Sequence, residues 1–311
     1  MENLSASLDT TLHMLLVIAI GKKLLGGTGK NAQLLDQINQ LVFKLFLPLM
    51  IFQNIYTTDI RVVFDGKLLL YLLAVICIVW LFLLWHTPRW IHDRKTCGAF
   101  IQGTVRSNTI VFGMPVISSL YPDYDLGCPT LLTAIVTVVF NVVGAITLEI
   151  YRGNCVDIRK MMRNLLKNPV LIASVTAISL VLLQVSLPSF VWKTVDVMAA
   201  MGSPMGLLLI GANLQINLGK SPKTLMVSMV LRLVVIPAIA LCGAVFLGWH
   251  GMELCTVLII MAAPTSVSAY SMARAMESDS EFTAYQVGVS SILGTGTVFL
   301  WCALLETMKL L

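Results

Sequence analysis

Charge is scarce in this 311-residue chain. Asp, Glu, Lys and Arg together make up 12% of it, against roughly 25% in ordinary soluble domains. Hydrophobic residues make up 57%, and the mean hydropathy is +0.86. A soluble globular fold and a disordered chain are both excluded by that balance. Histidine is rare and scattered, at His13, His86, His92 and His250, and neither an HExxH nor a P-loop sequence occurs. Zinc-dependent hydrolysis and ATP-driven work by this chain alone therefore have no motif to rest on, and the chain is read as a non-enzyme with no metal or cofactor. The seven cysteines form no CxxC pair, so no metal or disulfide framework is expected. They read as small apolar packing residues. The net charge of +5 is divided among short connections without interleaved aromatics, which argues against a nucleic-acid partner.

What the chain has is long apolar runs. A spanning helix needs about 20 mostly apolar residues. Ten segments qualify: 9–25, 34–56, 67–86, 98–120, 129–150, 169–188, 194–215, 222–248, 253–275 and 283–308. The first lacks a basic flank before the apolar run and a clear small-residue cleavage site, so it reads as a mature helix rather than a signal peptide. Lys and Arg crowd the connections after the odd-numbered segments: Lys22, Lys23 and Lys30; Arg89, Arg94 and Lys95; Arg152, Arg159, Lys160, Arg163 and Lys167; Lys220 and Lys223; Arg274. The remaining connections and the C-terminal end hold Arg61, Lys67, Lys193 and Lys309. Loop charge of this kind predicts a multi-pass protein of the cytoplasmic membrane, with the odd connections cytoplasmic and both termini outside.

Ten segments divide into two fives, 1–155 and 156–311. Segment 2 carries Leu47-Pro48 and, further on, Gln53-Asn54; segment 7 carries Ser203-Pro204 and, further on, Asn213. Segment 4 carries Pro115 and segment 9 carries Pro264. Proline removes a backbone donor and clashes with the preceding turn. Lipid cannot satisfy the carbonyls so freed, so such a break must be buried in protein or line a watery cavity. An odd number of helices per half inverts the second half in the membrane. Matched breaks in inverted halves predict a binding site near the midplane.

The candidate site residues cluster at those breaks. Asn108 lies two turns before Pro115 and offers amide donors and a carbonyl acceptor. Gly113 permits close backbone approach. After Pro264, Thr265 and Ser266 place hydroxyls at the start of a half-helix, whose N-terminus favours anions. Arg232, about 15 Å into its segment, and Arg106 are costly intramembrane charges. Each suits either a carboxylate substrate, as charge balance or coupling, or carbonyls within the fold. No cluster of acids for sodium stands out, which makes proton coupling the easier reading.

Asn108-Thr-Ile-Val-Phe-Gly113-Met-Pro115, Leu47-Pro48, Asn168-Pro169, Ile210-Gly211-Ala212 and Ala263-Pro264-Thr265, in that spacing, resemble the auxin efflux carrier family. That family includes bacterial malate and malonate permeases and the plant PIN-type auxin carriers. The short connection after segment 5 is similar to the compact bacterial type. The resemblance implies an all-α polytopic membrane protein of ten helices in two inverted five-helix repeats, sodium/proton-antiporter-like, with broken helices 4 and 9 crossing at their prolines. It implies a scaffold from helices 1, 2, 6 and 7 (9–56 and 169–215), forming a homodimer among membrane lipid. A transport domain from helices 3–5 and 8–10 (67–150 and 222–308) would move elevator-fashion. The implied cargo is a small carboxylate, a dicarboxylate such as malate, held by Asn108 and the Pro264-Thr265-Ser266 stretch. An auxin-like monocarboxylate exporter, or a sensor or channel on the same fold, are the alternatives.

Overall fold

The computed structural model describes residues 16–25, 32–57, 66–113, 116, 117, 120, 121, 126–153, 159, 163, 166–213 and 221–311, and among these every regular element is helical. In chain order these are α1 (16–25), α2 (Ala32–Leu41), α3 (Leu47–Tyr56), α4 (Gly66–His86), α5 (Arg94–Val105), α6 (Gly127–Arg152), α7 (Pro169–Leu182), α8 (Ser189–Ala200), α9 (Gly202–Asn213), α10 (Pro222–Val230), α11 (Ile236–Phe246), α12 (Met252–Ala262), α13 (Val267–Ala275) and α14 (Ser280–Thr307). Five continuous helices are long and apolar enough to cross a membrane: Gln33–Tyr56, Gly66–Arg89, Gly127–Arg152, Pro222–Phe246 and Ser280–Thr307. The 24 to 28 residues of each rise about 36–42 Å, more than the ~30 Å hydrocarbon layer. By contrast α5 and α12, of 12 and 11 residues, rise only about 16–18 Å. Each spans about half the layer, which is what a broken helix must do.

Two of the long spans carry a widened turn just before a proline. Between α2 and α3 the N–H of Leu47 donates to the carbonyl of Val42, five residues back; between α10 and α11 the N–H of Ile236 donates to Leu231 in the same way. Single π-turns of this kind let the helix pass Pro48 and Pro237 without the clash a regular turn would impose. Pro237 cannot donate to the carbonyl of Leu233. The indole Nε1–H of Trp301 on α14 takes that carbonyl instead, at 3.0 Å. The prolines therefore bend these spans but do not interrupt them. Segment 7, expected as one span over 194–215, is two helices, α8 and α9, that part at Met201. Pro204 sits in the first turn of α9, where its missing N–H has no helical acceptor to lose.

Helix starts follow ordinary capping chemistry. Asp93, Asn168 and Asp279 accept from the N–H groups of Thr96, Val170 and Phe282 at the starts of α5, α7 and α14. The Asp93 carboxylate also accepts from the Thr96 hydroxyl at 2.6 Å. Those bonds hold it below the usual carboxylate range.

Three apolar clusters fill the interior. The largest draws on α4, α5, α6, α10, α11, α12 and α14. A second joins α1, α2, α3 and α9 to Val267 and Tyr270 of α13 and to Ala284 and Val287 of α14. A third joins α3, α7 and α8 to Ala145 and Leu148 of α6 and Met272 of α13. α3, packed on α7 and α8, thus reaches the breaks from the opposite side to the large cluster.

Candidate functional site

α5 stops at Val105, and Arg106 takes extended torsions (φ −80°, ψ 119°). The run Arg106-Ser107-Asn108-Thr109 that follows is poor helix former, rich in side chains that compete for backbone partners. In the other half α12 stops at Ala262, and Ala263 (φ −60°, ψ 149°) and Ser266 (φ −65°, ψ 136°) flank Pro264 in extended backbone. The two extended stretches lie antiparallel. Ser107 pairs with Thr265, the Asn108 N–H donates to the Pro264 carbonyl at 2.8 Å, and the Ser266 N–H donates to the Arg106 carbonyl at 3.3 Å. Each break thereby satisfies backbone groups that the other has freed.

The first break includes Arg106–Asn108, upstream of Pro115; Pro115 itself falls outside the described residues, as do Met114, Ser118 and Ser119. Gly113 is buried, and a Cβ built on it would come within 2.2 Å of Ile259 Cγ2 on α12. Its absent side chain lets this backbone touch α12. Pro264 packs its ring against Gly294 of α14.

The two arginines have different surroundings. Arg232, 1% exposed, donates through Nε and Nη2 to the Ala263 carbonyl and through Nη1 to the Val105 carbonyl. Those carbonyls end α12 and α5, where the helix dipole is negative. Arg106, 3% exposed, meets neutral groups: the Asn141 carbonyl oxygen, the Ser268 hydroxyl at 2.7 Å and the Met272 sulfur at 3.4 Å. No acidic side chain lies within ion-pair distance of either arginine among the described residues.

Arg106 lines a small, partly open pocket with a cavity volume of about 30 Å³. Met50, Ile51 and Asn54 of α3 form one wall; Ser107, Asn108, Thr109, Ile110, Thr137, Phe140, Ser266 and Ser268 complete it. Asn108 is 5% exposed, and its amide Nδ2 has no hydrogen-bond partner among the described residues. The hydroxyls of Ser266 and Ser268 lie 2.8 Å apart. Ser266 occupies the N-cap of α13 without a side-chain bond to the helix, and first-turn N–H groups of a helix lack an acceptor within it. The pocket is thus lined by one guanidinium, the amides of Asn54 and Asn108, five hydroxyl residues, four apolar residues and a positive helix end.

Of the sequence-predicted residues, Arg106, Asn108 and Ser266 come together here. Thr265 turns away: its hydroxyl donates to the Gly103 carbonyl at 2.8 Å and its N–H to the Ser290 hydroxyl at 3.0 Å. Arg232, Gly113 and Pro264 are not among the lining residues. Sequence reading missed Asn141, Thr137 and Phe140. A lone amide in the middle of the apolar run 129–150 was the available signal for Asn141.

A family model described as a membrane transport protein matches residues 29–302. No curated protein matches the chain.

Proposed function

The chain belongs to the auxin efflux carrier family of membrane transport proteins, and from that premise we propose that it is a secondary carrier of a small organic anion. The observation that carries this reading is the Arg106 guanidinium. It is buried at a pocket between α3 and the crossing breaks, and no acid pairs with it among the described residues. A buried cation without a counter-ion is costly, and a carboxylate substrate would supply the missing charge through charge-assisted bonds. Asn108, Ser266 and the N-terminus of α13 would hold the same group.

The polarity of the lining bears on the cargo. One cation lines the pocket, with seven polar uncharged and four apolar residues. A single positive charge fits a single carboxylate, the monocarboxylate reading. Malate would fit best as its monoanion, one carboxyl protonated. In that case the coupling proton travels on the substrate, and uptake of malate rises on mild acidification. Movement of 67–150 and 222–308 as one elevator body against 9–56 and 169–215, within inverted five-helix repeats and a homodimer, completes the proposal. Its support is that the pocket walls come from both groups.

Proteoliposome uptake and counterflow with labelled mono- and dicarboxylates test the reading. Saturable counterflow that Arg106→Gln abolishes is expected. Channel-like flux, or binding without flux, would replace a carrier with a channel or a sensor.

A further inference from the structure

Asn141 stands near the middle of α6, fully enclosed at 0% exposure. Its carbonyl oxygen accepts from Arg106 Nη2, and its Nδ2 has no partner among the described residues. The side chain is not part of the pocket lining. It touches the one guanidinium that is, from behind. An aspartate has the same shape as asparagine, so the position could hold a carboxylate without change of volume. A carboxylate there would form a charge-assisted pair with Arg106 and bring the buried site to net zero. The amide gives the guanidinium one acceptor to fix its direction and leaves its charge unspent. The Ser268 hydroxyl and the Met272 sulfur, its other partners, are also neutral. All three contacts orient the guanidinium, and none cancels it.

We propose that Asn141 is the positioning residue that sets the charge of the site: by being an amide it aims Arg106 and keeps it available to an incoming anion. The proposal rests on the anion-carrier reading above and deepens it, because it says why this pocket selects anions. An anion entering the pocket supplies the negative charge that residue 141 withholds. When it leaves, the guanidinium returns to neutral acceptors rather than to an internal acid that would compete with the next substrate molecule.

The test compares Asn141→Asp, Asn141→Ser and Asn141→Ala in proteoliposomes, with thermal unfolding of each in detergent. Asn141→Asp is expected to fold and to lose roughly tenfold or more in transport, the scale of one hydrogen bond to a charged group. Its unfolding temperature should no longer rise when carboxylates are added. Asn141→Ser keeps a neutral acceptor and is expected to raise KM several-fold while holding the maximal rate near the parent's. Asn141→Ala should fall between the two. A merely structural asparagine would make all three variants fail alike. Parent-like KM and rate for Asn141→Asp would overturn the proposal. A second arm needs no substrate: Asn141→Asp should raise the unfolding temperature in the parent background and not when combined with Arg106→Gln. Lack of that coupling also overturns the proposal. A parent protein that carries none of the anions sinks the carrier reading instead, while the coupling still reports the charge pair.

Discussion

Arg232 and Ala263 are joined by two hydrogen bonds to a single carbonyl, from Nε at 3.0 Å and from Nη2 at 2.6 Å. The remaining arm, Nη1, reaches the carbonyl of Val105 at 3.3 Å. One side chain therefore ties the C-terminal end of α12 to that of α5, at the point where both helices break. Its charge is balanced by helix ends, and its donors are used on the fold. Arg106, one residue beyond Val105, points its guanidinium at a pocket. The two buried arginines thus differ in what their donors meet: helix-end carbonyls for Arg232, and side chains at a pocket for Arg106.

That difference predicts opposite phenotypes. Arg232→Met removes the donors, strands the Val105 carbonyl and leaves the Ala263 carbonyl only the Ser107 hydroxyl at 3.4 Å, at a buried crossing. The expected loss is about 3 kcal/mol or more, counting hydrogen bonds to a charged group and the groups left unpaired. It should appear as a lower unfolding temperature in detergent without any substrate. Arg106→Gln removes a buried charge that has no acid to balance it, so the unliganded protein should unfold at the parent's temperature or above. Its anion transport should vanish. Thermal unfolding followed by size exclusion, with uptake on the same samples, separates the two.

Asn108→Ala is expected to weaken binding without weakening the fold. The Asn108 backbone N–H, which bonds Pro264, survives the substitution. The amide Nδ2 has no partner to lose, so an unmet buried donor disappears. KM should rise by roughly an order of magnitude, the scale of a hydrogen bond to a charged group, with the unfolding temperature held within about a degree. A drop in stability with unchanged KM would move Asn108 from the site into the scaffold of the crossing.

Thr265 and Ser266 separate in the same way. Thr265→Val keeps the shape and loses the hydroxyl bond to Gly103, so it should cost roughly 1 kcal/mol of stability and leave KM unchanged. Ser266→Ala keeps the backbone link to Arg106 and loses a hydroxyl that lines the pocket, so KM should rise. Sequence reading could not choose between these neighbours, because their order in the chain does not say which side of an extended stretch faces solvent. Alternate residues of extended backbone point to opposite faces, and the Thr265 hydroxyl bond to the Gly103 carbonyl, with Ser266 in the pocket lining, shows which is which.

Other parts of the molecule were legible for stated reasons. Apolar length placed the long spans, and Pro264 marked the second break, because both are local properties of the chain. At the first break the extended backbone of Arg106–Asn108 is satisfied by the opposite break, and a single sequence carries no record of that pairing. The depth of Arg232 gave its cost but not its partners, which lie 31 and 127 residues away. Asn141 was not singled out in the sequence, because a lone amide in an apolar run carries no record of the Arg106 guanidinium beside it. The π-turns before Pro48 and Pro237 likewise depend on neighbouring helices, as the Trp301 bond to Leu233 shows.

Gly113 was expected to contact substrate, and its surroundings predict a packing role instead. A Cβ at that position would lie 2.2 Å from Ile259 Cγ2 and 3.9 Å from the Ile259 carbonyl oxygen. The first contact is impossible without movement; the second is ordinary. Relief must therefore come from the Ile259 side chain, which is fully buried in the large apolar cluster and has little room to turn. Gly113→Ala should cost about 1–3 kcal/mol, the usual range for overpacking. Trimming the obstacle should return part of that: in the double variant Gly113→Ala with Ile259→Ala, the methyl added at 113 enters space vacated at 259. The two substitutions should be markedly less than additive, since they share one volume. Additive losses would mean that Gly113 is needed for its backbone torsions and not for its contact with α12. Elevated KM at unchanged stability in the single variant would return it to the binding site.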